Sequence, residues 1–369
     1  MRLTSSLPLV ALVTSALLAL SGCQPGSYQE SKPPETLAGD RADLSDVTFL
    51  ENPRDYVGAS TALLGPLTLT PLVSKPAQKL PVVVDSDELG EPLSVMVSST
   101  KRLLALDMSG SLAAMVWALG FGDNLVGRDI STTFPGSDEL PVVTGSGHAI
   151  SPESVLALRP DLIITDGTIG PLDVVLQLRE AGIPVVFVRE TPGLSAPAAM
   201  ATSLGEILGV AELGTELATS LTASIASVGA VIAEKAPKAQ ADKLRMVFLY
   251  LRGGNGIYYL FGEESGSGDL IEALGGIDIA TETGWTGLRP MTDEALVAAN
   301  PDLILVMSEG LASVGGVEKL IEAKPALGLT RAGINRRFVD MADAQVLSFG
   351  PRTPEIMDAL ARAIYSPGQ

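Results

Sequence analysis

"ESVLALRPDLIIT" occupies residues 153–165 and "EALVAANPDLILV" residues 294–306, and reading the two side by side decides the fold. In each block a glutamate stands seven residues ahead of a Pro-Asp pair (160 − 153 = 7; 301 − 294 = 7), and an unbroken apolar run follows. The first half of each block has helical spacing. The proline then stops the helix, because it lacks an N–H and disfavours helical backbone at the residue before it. An apolar run without polar alternation is a strand covered on both faces, as in a parallel sheet. Each block is therefore one αβ step. Two such steps, 141 residues apart (294 − 153 = 141), predict two lobes of similar build.

The flanking sequence extends the pattern. Strands are expected at 102–107, 185–188, 246–251 and 338–341, and helices at 109–120, 172–181 and 354–365. "LPVVVDSDELGEPLSVMV" (80–97) has two short apolar runs around an Asp/Gly turn, which predicts a hairpin. Residues 211–236 keep a helical pattern without proline for about seven turns. A single stiff helix between the lobes predicts little hinge closure. The division expected is a leader over 1–22, an anchor and largely disordered tether over 23–79, an N-terminal α/β lobe over 80–210, the long helix over 211–236 and a C-terminal α/β lobe over 237–369.

Composition removes whole classes of function. The formal charge of −18 repels phosphate backbones, so no nucleic acid is expected as a partner. One histidine excludes a two-histidine zinc motif such as HExxH. No Walker lysine follows the short glycine turns, and no GxSxG elbow accompanies the serines near His148. The one cysteine, Cys23, permits no internal disulfide. It follows a basic start and an apolar stretch from Leu7 to Leu20, too short to span a bilayer and suited to a secretory signal. Leu20-Ser21-Gly22-Cys23 resembles the lipobox of bacterial lipoproteins. That resemblance implies a lipidated Cys23 on the outer face of the cytoplasmic membrane.

"LGFGDNLVGRD" (119–129), "SPESVLALRPDLII" (151–164), "GDLIEALGGI" (268–277), "EALVAANPDLIL" (294–305) and "SFGPRTPEIMDALA" (348–361) together resemble the substrate-binding proteins of metal-chelate ABC importers. The resemblance spans about residues 80–365. It implies two Rossmann-like α/β lobes with central parallel sheets, joined by one long helix, with a ligand cleft between them. "TTFPGSDELPVVTGSGHAISPE" (132–153), around the only histidine, looks most like the haem-binding branch. The cargo implied is ferric haem b, held between the lobes by a histidine from the first and a tyrosine from the second. His148 and Tyr250 fit those roles here. Arg252, two residues on along a strand, shares the face of Tyr250, where it would favour the tyrosinate or meet a haem propionate. Tyr258 and Tyr259 are alternatives to Tyr250, and Trp285 and Arg352 are candidates for the cleft lining. The resemblance further implies that Glu153 and Glu294 dock on an ABC permease dimer with its ATPase, and that upstream cell-surface haem-binding proteins act as donors. A siderophore or cobalamin receptor and an extracellular haem enzyme such as a peroxidase stay open as alternatives.

Replacing the sole thiol tests the attachment. Cys23→Ala should move the protein from the membrane fraction to the medium or periplasm without changing its affinity for cargo. Retention on membranes after a high-salt wash would mean another anchor.

Overall fold

The computed structural model of the protein describes residues 41–65, 69–87, 93–189, 192–251 and 258–368; Cys23 and Arg252 lie outside them. Defined structure begins well ahead of residue 80, which corrects the assignment of 23–79 to a tether. Strand β1 (Ser60–Ala62) pairs in parallel with residues 339–341 at the edge of the C-terminal sheet. Its sequence, Ser-Thr-Ala, carries no strand signal of its own. It is held instead by Arg337, which is only 1% exposed. The guanidinium donates to Ser60 Oγ at 3.2 Å and to the carbonyl oxygens of Ala363 and Ile364, and lies 4.7 Å from the Tyr56 ring centroid. Burial lowers its pKa to about 10. Phe49 stacks on Tyr365 at 4.9 Å, so the leading segment is part of the C-terminal lobe.

The N-terminal lobe starts with an antiparallel hairpin, β2 (Val82–Ser86) and β3 (Leu93–Val97). A three-stranded parallel sheet of β4 (Leu103–Leu106), β5 (Leu162–Thr165) and β6 (Val185–Phe187) follows. Successive strand residues face opposite sides. Leu103 and Ala105 accordingly enter one core while Leu104 and Leu106 enter another, and both faces are buried. The covering helices are α1 (Ser111–Val116), α2 (Pro152–Leu158), α3 (Leu172–Glu180) and α4 (Ala196–Ile207).

Helix α5 (Ala211–Lys235) then runs for 25 residues. Its narrow apolar stripe serves both lobes: Leu217 and Leu221 lie in the N-terminal core, Ile225 and Ile232 in the C-terminal one. Against α4 it packs backbone to backbone at Gly205 and Gly214. A Cβ on Gly205 would sit 2.7 Å from Gly214 Cα, and one on Gly214 would sit 2.6 Å from the Ala201 carbonyl oxygen.

The C-terminal lobe contains β7 (Arg245–Leu251), β8 (Tyr258–Leu260), α6 (Ser267–Ala273), β9 (Ile277–Asp278), α7 (Ile279–Glu282), β10 (Arg289–Pro290), α8 (Asp293–Ala299) and β11 (Leu303–Met307). It ends with α9 (Ser308–Ser313), α10 (Gly316–Ala323), α11 (Arg331–Ile334), β12 (Phe338–Met341), α12 (Asp343–Val346) and α13 (Thr353–Tyr365). The sheet order is β1-β12-β11-β7-β8-β10, with β9 also on β7. Strands β1, β12, β11 and β7 are parallel; β8 and β10 turn antiparallel at the far edge. In both lobes the carboxyl ends of the parallel strands are where loops can form a ligand crevice.

The glycine contact gives a test with a definite sign. At an exposed helical site Gly→Ala stabilises by about 1 kcal/mol. Gly205→Ala should instead destabilise by about 1–3 kcal/mol, since the overpacked neighbour is backbone. The urea unfolding midpoint reads the difference.

Candidate functional site

The two αβ steps repeat one another closely. Ser151 Oγ accepts from Ser154 N–H at 3.3 Å to start α2, and Thr292 Oγ1 accepts from Ala295 N–H at 3.2 Å to start α8. The helices end at Arg159 (φ 46°) and Asn300 (φ 43°), both left-handed, each directly ahead of the proline that forbids another helical residue. Glu153 and Glu294 occupy the same exposed place in the first turn of each helix, where an acidic group favours the helix dipole.

Ahead of α2, residues 144–150 fold into a small loop around His148. Thr144 and Ile150 form an antiparallel bridge, and Ala149 bridges Gly170 in the loop after β5, which ties the histidine to the carboxyl edge of the sheet. Gly147 (φ 70°) and His148 (φ 59°) are both left-handed. Such backbone in a histidine costs of order 1 kcal/mol and persists only where the surroundings enforce it. The enforcing group is Asp129, which is fully buried. Its carboxylate accepts from Ser131 N–H at 2.7 Å and from Thr144 Oγ1 at 2.7 Å, and its two oxygens lie 3.2 and 3.3 Å from His148 Nδ1. Burial alone would raise the Asp129 pKa, but the bonds from His148, Thr144 and Ser131 outweigh it and hold the pKa below the usual carboxylate range. The same bond raises the His148 pKa against partial burial. The imidazole is 27% exposed.

Tyr250 is the penultimate residue of β7 and is half-buried. Pairing with β8 sets Tyr259 directly opposite, so the two phenols share one face of the sheet with ring centroids 6.5 Å apart. Phe261 closes the other side at 6.0 Å, edge-on. Among the described residues no hydrogen bond joins Tyr250 to His148; each is anchored within its own lobe. A small notch of about 40 Å³ shows where the lobes adjoin beside the histidine. It is lined by Ser109, Ser131 and Phe134 from one lobe and Gln345, Ser348 and Arg352 from the other, and Ser131 Oγ lies 3.5 Å from His148 Nδ1. Arg352 Nε donates to Glu355 at 3.0 Å, while its Nη2 is buried without a partner among the described residues. Trp285 packs against the C-terminal core and does not line this notch. A cavity of about 770 Å³ lies elsewhere, between the β2–β3 hairpin and the α4–α5 turn, and is lined by neither His148 nor Tyr250.

The donor set fits a chelated, Lewis-acidic metal better than a bare ion. Each lobe offers one group of a type that can ligate a chelated metal, the His148 imidazole and the Tyr250 phenol. Among the described residues no cluster of three or more His, Cys, Asp or Glu could hold an ion alone. The sequence missed Asp129 and left Tyr259 as an alternative, because the role of each depends on chain contacts remote in sequence.

The crystal structure of the heme binding protein HmuT superposes with a TM-score of 0.78 at 35% identity, covering 85% of this chain and 99% of that one. The uncharacterized ABC transporter substrate-binding lipoprotein YvrC of Bacillus subtilis is 28% identical over 299 residues, 79% of this chain and 89% of YvrC. A cobalamin-binding protein of Halobacterium salinarum is 26% identical over 272 residues, 73% of this chain and 70% of that protein. The family model for periplasmic binding proteins matches residues 108–344, and the chain belongs to that family of substrate-binding transport proteins, which hand on a ligand rather than transform it.

Proposed function

We propose that the protein is a membrane-tethered extracytoplasmic receptor that captures ferric haem b between its lobes and delivers it to an ABC permease. The observation that carries this reading is His148, with Nδ1 committed to Asp129 and the ring still partly open to solvent at the carboxyl edge of its sheet. Tyr250 stands near the corresponding edge of the other lobe. HmuT has also been solved with single changes to alanine at a histidine, a tyrosine and an arginine. There the tyrosine and arginine are separated by one residue, as Tyr250 and Arg252 are here. In this reading His148 and Tyr250 are the axial ligands of the haem iron, and Arg252 supports the tyrosinate or a propionate. Attachment through Cys23 places the protein outside the cytoplasmic membrane, which the likeness to a substrate-binding lipoprotein supports. Two axial ligands from the protein leave no open position on the iron for peroxide. A cobalamin receptor is the second reading, carried by the Halobacterium relative.

Titrating the mature protein with ferric haem and with cobalamin separates the two readings. Haem should bind at equimolar ratio with a six-coordinate Soret spectrum, and cobalamin should not compete. Tyr250→Ala should weaken haem by roughly 100-fold or more, beyond the 10–100-fold that loss of a supporting contact costs. His148→Ala should weaken it less, since the anionic ligand stays. Unchanged spectra in both variants would rule out the axial pair.

Docking is tested in cells. Glu153→Gln combined with Glu294→Gln should leave haem binding unchanged and cost each helix only about 0.3–1 kcal/mol, yet abolish haem uptake. Normal uptake would return both glutamates to the role of helix starts.

A further inference from the structure

The carboxylate buried behind the histidine does more than fill space. Asp129 is fully buried, and a buried charge persists only when its hydrogen bonds are satisfied. Its partners are Ser131 N–H, two residues on, and Thr144 Oγ1 and His148 Nδ1 from the loop that presents the imidazole. An ionised carboxylate can only accept. Nδ1 must therefore carry the proton, and in the neutral ring Nε2 keeps its lone pair for whatever occupies the cleft. The ring has little freedom to choose otherwise. The left-handed backbone at Gly147 and His148 turns it back onto Asp129, and the Thr144–Ile150 bridge closes the loop behind it.

We infer that Asp129 is the positioning residue of the cleft, fixing His148 as the Nδ1–H tautomer and strengthening Nε2 as a donor to the haem iron. This rests on the haem reading for its consequence but not for its geometry. A carboxylate on the far nitrogen of a ligating imidazole sets the ring orientation and raises its basicity. The effect favours the ferric over the ferrous state of the cargo, so the receptor would hold haem in the form in which Tyr250 also binds best.

Because His148 is the only histidine in 369 residues, its ring gives an unambiguous nitrogen signal. In ¹⁵N-labelled protein without cargo, at about pH 9 and so well above the ordinary imidazole pKa of about 6.5, Nδ1 should carry the proton. Asp129→Asn presents an amide that can donate to Nδ1, and the signal should move toward the Nε2–H tautomer. An Nε2–H ring in the unaltered protein would overturn the inference. In the haem titration, Asp129→Asn should loosen ferric haem by about 10–100-fold and raise the midpoint potential of the bound iron. Both effects should vanish when His148 is already alanine. The same loss in the His148→Ala background would show that Asp129 merely packs the loop, and would also overturn it. Thr144→Val removes a bond to Asp129 without touching the imidazole and should reproduce neither the tautomer change nor the shift in potential. An Nδ1–H ring in a protein that fails to bind haem would sink the haem reading alone and leave the positioning intact.

Discussion

Everything in the cleft depends on the spacing imposed by α5. At about 1.5 Å per residue, its 25 residues extend close to 37 Å, and its apolar stripe enters one core at Leu217 and Leu221 and the other at Ile225 and Ile232. The lobes cannot rotate about it without withdrawing side chains from a core. They also touch directly on two sides. A Cβ on Gly350 would meet Ser111 Cβ at 2.9 Å, and one on Gly266 would meet the Gly193 backbone nitrogen at 2.7 Å.

Within that frame, the contrast between the two candidate ligands is chemical. His148 is bonded through Nδ1 to a fully buried carboxylate. Tyr250 sits among aromatic rings, with Tyr259 and Phe261 beside it. Carboxyls on the same edges also feel burial. Asp166, after β5, is pushed up to about 6 by burial and by the neighbouring Asp107, and Asp343, after β12, to about 6 by burial.

The αβ steps were legible because helix spacing, the proline stop and the doubly buried strand all sit within thirteen consecutive residues. His148 and Tyr250 were singled out only by the family resemblance, since a lone loop histidine or a strand tyrosine carries no such signal by itself. The N-terminal segment was not. Ser60–Ala62 becomes a strand only because β12 offers an edge and Arg337, nearly 280 residues away, reaches Ser60 and the end of α13. Asp129 was equally hidden, since an aspartate in "GRD" looks like any loop residue until the chain returns at Thr144 and His148. Tyr259 became a neighbour of Tyr250 only through the register of the β7–β8 pair. Arg252 falls outside the described residues.

The early start of defined structure also has a consequence for the C-terminal sheet. Strand β1 lies along the outer edge of β12, and a sheet edge left open presents a row of unpaired N–H and C=O groups on which another chain can add a strand. Covering that edge with only three residues leaves little template for association edge to edge.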